Sequence, residues 1–173
     1  MKLSLIVAID NNGLIGIDNT IPWPKLKHDI DNFVKITKKG KCNVLICGSK
    51  TYHSLPIKMK KDENRKIIVL TRKDSINDLF SNVISHSFEN SIELASNSDN
   101  IVIIGGSDVY KKALQHNKLF DIYLTKINIS IECQNGIYFP MNDLSSLDIE
   151  LISSFSIEEN NINYTINHFQ LKN

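Results

Sequence analysis

The sequence predicts a single α/β domain with a mainly parallel central sheet, flanking helices and a C-terminal antiparallel hairpin. Three observations predict it. Short apolar runs at Leu3–Ile9, 43–47, 66–70 and 101–104 have the character of strands buried on both faces. Helical patterns at 26–38, 51–55, 89–95 and 108–115 follow several of them, the alternation of an α/β fold. The end differs: 149–157 and Ile162–Leu171 flank the turn-prone EENN of 158–161, which reads as a hairpin. With 173 residues, one domain over 1–173 can bury a substantial core.

The start, MKLSLIVAIDNNG, is too short an apolar run for a membrane span and lacks a small-residue cleavage site, so it reads as the first strand. A loop with Gly13 and Gly16 follows and carries Trp23, the only tryptophan, between two prolines. A large aromatic there suggests a lid over a pocket; core packing is an equal alternative.

Helix 26–38 holds the most informative residue. Leu26, Ile30, Phe33 and Val34 repeat at the spacing of a buried face, and Asp29 falls inside that stripe. Asp31 points to water. A carboxylate on a core-facing stripe costs several kcal/mol, of order 3–5, unless it is paired. No Lys or Arg shares that face, so a ligand rich in donors is the expected partner. The bland alternative is that Asp29 caps a helix starting later.

Two strand-to-helix junctions share one form, VLICG-SKT through Gly48 and IVIIGG-SDVY through Gly105-Gly106. Glycines there admit a ligand to the backbone, and free N–H groups at a helix start bind phosphate. Such loops at strand carboxyl ends line the ligand crevice of open sheets. Neither junction is a Walker A motif or a GxGxxG fingerprint. Lys50, Thr71 and Arg72 favour an additional phosphate. DIYLTKIN at 121–128 reads as a further strand.

A net charge of +1 gives no footprint for nucleic acid or an anionic membrane. Cys42, Cys47 and Cys133 are odd in number and show no metal-ligand spacing, so no metal is expected. Cys47 reads as an inert core residue, and a reducing cytoplasm fits. The five histidines match no nucleophile motif and read as surface positions.

Taken in order over nearly the whole chain, these segments resemble dihydrofolate reductase. LIGIDNTIPW resembles the family's mobile loop, and Trp23-Pro24-Lys25-Leu26 with Asp29 and Phe33 resembles its W-P-x-L-x-x-[DE]-x-x-x-F helix. GSKTY, NRKIIVLTR and IIGGSDVY resemble G-x-x-T-[WY], the substrate-arginine strand and the I-G-G-x-x-V-Y signature. The resemblance implies reduction of 7,8-dihydrofolate to tetrahydrofolate by hydride transfer from NADPH to pterin C6 with protonation at N5, serving one-carbon metabolism and thymidylate synthesis.

By the same resemblance, Asp29, Trp23 and Thr125 are catalytic. Asp29 accepts from the pterin N3 and 2-amino group, Thr125 bonds its carboxylate, and Trp23 holds a water. Ile6, Val7, Ile30 and Ile104 wall the pterin, Phe33 and Leu55 face the aminobenzoyl ring, and Arg65 grips the glutamate α-carboxylate. Ala8 and Ile15 meet the nicotinamide carboxamide through their backbone, and Gly16 also belongs to the cofactor site. Gly48, Ser49, Lys50 and Thr51 form one wall of the cofactor site. Gly105, Gly106, Ser107, Asp108, Val109 and Tyr110 form the other, where the family has a cis Gly-Gly bond. Thr71 and Arg72 serve the 2′-phosphate, Leu70 also belongs to the cofactor site, and His86 reaches the adenine. Dihydrofolate and antifolate inhibitors are the implied partners, with no nucleic acid or membrane and a monomeric state.

Three departures stand out. Gly136-Ile137 replaces an acidic residue and threonine, which puts loop dynamics in question. Asp108 replaces an arginine of some members, and Tyr52 a tryptophan. The segment KMKKDENRK at 58–66 reads as a solvated lysine-rich loop around Arg65, and 57–64 does not align cleanly with the family. The sequence stops after its hairpin without the thymidylate synthase fused in some relatives. Rival readings are a pyrimidine reductase of riboflavin synthesis and a non-catalytic nucleotide- or RNA-binding module. The first needs polar groups where Phe33 and Leu55 stand; the second rests only on the lysine run at 58–61.

Overall fold

The computed structural model describes residues 2–172; Met1 and Asn173, the ends of the predicted domain, lie outside it. In chain order the elements are β1 (Leu3–Ile9), β2 (Leu14–Ile17), α1 (Lys27–Thr37), β3 (Asn43–Gly48), α2 (Ser49–Ser54), α3 (Ile57–Lys60), β4 (Arg65–Leu70) and β5 (Val83–Ser85). They continue with α4 (Phe88–Leu94), β6 (Asn100–Gly105), α5 (Ser107–Leu114), β7 (Leu119–Ile127), β8 (Gly136–Tyr138), α6 (Met141–Ser145), β9 (Ile149–Glu159) and β10 (Ile162–Leu171).

Eight strands form one sheet in the order β5-β4-β3-β6-β1-β7-β10-β9. Every pair from β5 to β7 is parallel, and β10 runs antiparallel to both β7 and β9. The predicted fold class therefore holds. The apolar runs became β1, β3, β4 and β6, with β3 and β6 buried almost throughout. Alternation along each strand splits the core in two. Val7, Val44, Ile46, Ile68 and Ile103 join α4 and α5 on one face. Ile6, Leu45, Cys47, Ile67 and Ile104 join Phe33, Ile36 and Leu55 on the other. Burial pushes the Cys47 thiol far up, which keeps it an inert core residue as expected.

The hairpin turn places Asn160 and Asn161 at φ 54° and 60°. Two left-handed residues match the right-handed twist of the flanking strands, and asparagine tolerates that region best after glycine.

Two expectations need correction. The stripe predicted on helix 26–38 is only half buried. Leu26 is buried, but Ile30 and Val34 are 43% and 41% exposed, and the packed flank is Phe33, Ile36 and Thr37. Periodicity locates an apolar face; it does not say how much of that face the neighbouring sheet covers. The 57–64 segment is also not a fully solvated loop. It forms α3, and Lys60 is 7% exposed, its Nζ donating to the His53 carbonyl at 3.3 Å and lying 5.0 Å from the Tyr52 ring centroid. An aliphatic stem laid on an aromatic ring buries well while the ammonium finds a carbonyl.

Candidate active site

The carboxyl ends of β1, β3, β4 and β6 and the first turn of α1 converge on one side of the sheet. Asp29 sits in that first turn, half-buried, and among the described residues it forms no ion pair. Desolvation raises its pKa, a hydrogen bond with the Thr125 side chain pulls it partly back, and the charge of Glu159 raises it further. Thr125, buried on β7, pairs across the sheet with Ala8 of β1. Strand register thus fixes the residue that steadies the acid.

Trp23 is 8% exposed and packs with Leu26, Ile127, Tyr164 and Ala8. The core-packing alternative describes it better than a free lid. It wedges under the start of α1 and holds the end of the glycine-containing loop. Ile6, Ile104, Phe33 and Leu55 share one apolar cluster, which makes a continuous wall. Val7, expected beside them, is corrected: its side chain lies on the opposite face of the sheet, so only its main chain can serve this pocket.

The two glycine junctions face each other across neighbouring strands. A Cβ on Gly106 would lie 3.3 Å from Thr51 Oγ1, and one on Gly48 would lie 3.5 Å from Val109 and 3.9 Å from the Gly106 nitrogen. Gly105 has φ +106°, and a Cβ there would sit 2.9 Å from the Tyr110 ring. Its peptide bond to Gly106 is cis. Tyr110 is buried beneath this turn and donates to the Ile6 carbonyl at 2.8 Å. Ser107 donates to the Tyr138 carbonyl at 2.6 Å, and Asp108 is exposed. Lys50 and Arg72 are exposed and enter no ion pair among the described residues; Thr71 follows Leu70 at the end of β4. Lys50, Ser49 and Lys73 border an open cleft of about 540 Å³. His86 lies against the Thr71 carbonyl at 3.1 Å.

Arg65 is 8% exposed and tightly oriented. Its Nε and Nη2 reach Asp62 Oδ2 at 3.0 and 2.8 Å, and Nη1 donates to Thr37 Oγ1 at 3.1 Å. Lys38 reaches the same Asp62 oxygen at 2.8 Å. Burial would raise the Asp62 carboxyl, but hydrogen bonds from Lys38, the Asn64 N–H and Arg65 outweigh it and hold it at about 2. Of about five guanidinium N–H groups, roughly two stay uncommitted, one on each Nη.

Comparison with known proteins decides the family. The dihydrofolate reductase family model matches residues 2–171. The chain is 35% identical over 170 residues to a dihydrofolate reductase of Aedes albopictus, covering 92% of this chain and 85% of that one. It is 32% identical over 152 residues to that of Mus musculus, covering 82% and 80%. It is also 32% identical over 156 residues to a bifunctional dihydrofolate reductase-thymidylate synthase of Acanthamoeba polyphaga mimivirus, covering 81% of this chain and 28% of that longer protein. The chain belongs to the dihydrofolate reductase family. Membership makes it an oxidoreductase acting on dihydrofolate.

Set beside the dihydrofolate reductase pattern, the Gly136-Ile137 departure has a steric reason. A Cβ on Gly136 would meet Leu14 Cδ1 at 2.6 Å and Cys133 Sγ at 2.7 Å, so β2 and β8 approach too closely for a side chain. The loop is tied instead from its other end. Asp10 is fully buried, and its Oδ1 accepts from the Asn12 and Leu14 N–H groups at 2.8 Å each, its Oδ2 from Ile131 N–H at 2.9 Å.

Asp10, Asp62 and Glu159 are site-supporting residues that the sequence reading missed. Asp10 had a signal: an aspartate between an apolar strand and N-N-G is an Asx-turn former. Asp62 stands three residues before Arg65, an ordinary local pairing distance. Glu159 gave little local signal, since its partners on α1 lie more than 130 residues away and only Tyr164 is near it in the chain.

No described helix is long and apolar enough to cross a membrane, and no His, Cys, Asp and Glu cluster suited to a metal occurs among the described residues.

Proposed function

We propose that this chain binds NADPH and 7,8-dihydrofolate in the crevice bounded by α1, β1 and the two glycine junctions, and produces tetrahydrofolate. The observation that carries the reading is Asp29, a desolvated carboxyl on the first turn of α1, drawn on by the Thr125 hydroxyl and lacking a cation partner among the described residues. A pterin supplies donors for it, at N3 and the 2-amino group, and such charge-assisted bonds are worth about 1.5–3 kcal/mol each.

The nucleotide fits the chain's own residues. Gly48 and Gly106 leave the backbone bare where the loops meet, and Lys50, Thr71 and Arg72 supply charge and hydroxyl for a 2′-phosphate. When bound, NADPH supplies a hydride from its C4 for pterin C6. The protein does the rest. Asp29 orients the pterin, and desolvation, which raises its pKa, favours passing a proton to N5 through a water beside Trp23. Ile6, Ile104, Phe33 and Leu55 exclude solvent along the wall, and Ile30 and Val34 close over the ligand from α1. Arg65, turned by Asp62 and Thr37, offers its two free N–H groups to the α-carboxylate as a fork. Antifolates with a protonated diaminopyrimidine compete for Asp29. The protein acts as a monomer in the cytoplasm.

The test is loss of NADPH absorbance on adding dihydrofolate, with Asp29→Asn run beside the wild type. Fast turnover that the variant loses by orders of magnitude, with NADPH binding intact, supports the assignment; no turnover by the wild type overturns it. No observation favours the riboflavin-pathway reductase or the RNA-binding reading.

A further inference from the structure

Helix α1 begins without a cap of its own. The N-cap residue is Leu26, whose side chain has no oxygen, so the first helical N–H groups need acceptors from elsewhere. They find one on Glu159, at the far end of β9. Its Oε1 accepts from the Lys27 N–H at 2.7 Å, and its Oε2 lies 3.4 Å from the His28 nitrogen and 3.2 Å from His28 Nδ1. Tyr164 of β10 donates to Oε2 at 2.7 Å, and its ring packs with Trp23 and Leu26. One carboxylate therefore joins the hairpin, the Trp23 cluster and the helix bearing Asp29.

We propose that Glu159 is a positioning residue for dihydrofolate reduction: from the hairpin it caps α1 in trans, sets Asp29 against Thr125, and places a second negative charge near the catalytic acid. The role rests on the function proposed above for Asp29. An anion at a helix N-terminus is favourable in itself, and the bonds from Lys27, Tyr164 and His28 hold Glu159 ionised, with its carboxyl down at about 2. Its charge thus persists wherever the enzyme works and opposes ionisation of Asp29. The charged and titratable groups facing the pair are Lys27 and His28 of α1, Tyr164 of β10 and Tyr110 of α5. Lys27 is already engaged with Asp31 at 2.6 Å, so it offsets Glu159 little. Two carboxyls near one another, one held ionised and one pushed toward its protonated form, divide the work: the first positions, the second carries the proton.

Glu159→Gln and Glu159→Ala separate capping from charge. Asp29 is titrated in the unliganded protein by ¹³C carboxyl NMR, and kcat/KM for dihydrofolate is followed against pH, beside Tm. Both variants are expected to move the Asp29 titration and the pH-rate midpoint to lower pH. Ala should also lower kcat/KM about fivefold through loss of the cap, whereas Gln, which keeps an acceptor for the Lys27 N–H, restores most of it. A drop in Tm with the Asp29 titration unmoved in Gln would overturn the proposal and leave Glu159 a stability residue only. If Ala does not fold, Gln alone decides. Should the wild type fail to reduce dihydrofolate, the NMR titration still measures the Glu159–Asp29 coupling, so the two readings fail separately.

Discussion

Replacing Asp10 with asparagine tests whether a buried carboxylate ties down the loop that carries Ile15 and Gly16. Three backbone N–H groups end on it, from Asn12, Leu14 and Ile131, and its exposure is 0%. In Asp10→Asn the amide oxygen can keep Asn12 and Leu14 as neutral bonds, but the amide nitrogen then confronts the Ile131 N–H, donor against donor. That removes one charge-assisted bond, worth about 1.5–3 kcal/mol, and leaves a buried donor unsatisfied at about 1–3 kcal/mol. Burying a neutral amide rather than a charge offsets part of this. A net loss of about 2–4 kcal/mol follows, and for a chain of this length each kcal/mol lowers Tm by about 2–4 °C. Thermal unfolding at neutral pH should therefore show a fall of roughly 4–16 °C, with weaker NADPH binding because the loop loses its tie to Ile131 and the bond that anchors β2 at Leu14 is weakened. A variant melting within about 2 °C of the wild type would refute the reasoning, since three such bonds cannot be lost or weakened that cheaply.

Other predictions address the pocket itself. Asp29→Asn should cost turnover yet raise Tm at neutral pH: the folded carboxyl has its pKa raised above 3.8, so its ionised form costs stability above that pH, and the gain should vanish in acid. A variant less stable than the wild type at pH 7 would contradict this. Arg65→Leu should raise KM for dihydrofolate far more than it lowers kcat, since of the substrate the guanidinium would meet only the glutamate tail; an unchanged KM would count against that contact. The Asp62 carboxyl, lowered from 3.8 to about 2, contributes stability above pH 3.8 that is lost as pH falls through 2. The Tm gap between wild type and Asp62→Asn should accordingly be widest above pH 4 and close toward pH 2. Gly105→Ala should fold poorly, because its Cβ would meet the Tyr110 ring at 2.9 Å in a backbone with φ +106°, and normal soluble yield would show that the turn can yield.

The parallel half of the sheet was legible because strands buried on both faces must be apolar along almost their whole length, as β3 and β6 are after their leading asparagines. Asp29 was legible for the opposite reason, a charge where the helical period demands an apolar residue. The glycine junctions were legible because close backbone approach excludes a Cβ. Asp10 escaped because every contact it makes ends on a main-chain N–H, which every residue except proline has. Glu159 escaped in part for the same reason, because its bonds to Lys27 and His28 run through main-chain groups far along the chain. The elements β2, β5, β8, α3 and α6 have only 3–5 residues each, too few to display a period. Ile30 and Val34 read as core because a helical stripe looks the same whether a sheet or a ligand completes its cover.

The order of strands bears on how the molecule is made. β10 comes after every other described strand in the chain, yet it lies inside the sheet, between β7 and β9. Vectorial synthesis therefore delivers an interior strand after both of its neighbours. Until Leu171 clears the ribosome, β7 presents an open edge on the side where Thr125 pairs with Ile166, and β9 has no partner at all. Until then β1 and β3 to β7 can pair with one another, while the helix bearing Asp29 still lacks the Tyr164 and Glu159 contacts that seat it. Ligand capture that depends on Asp29 becomes a report that translation has passed the hairpin, and it should rise late and steeply in a series of stalled chains of increasing length.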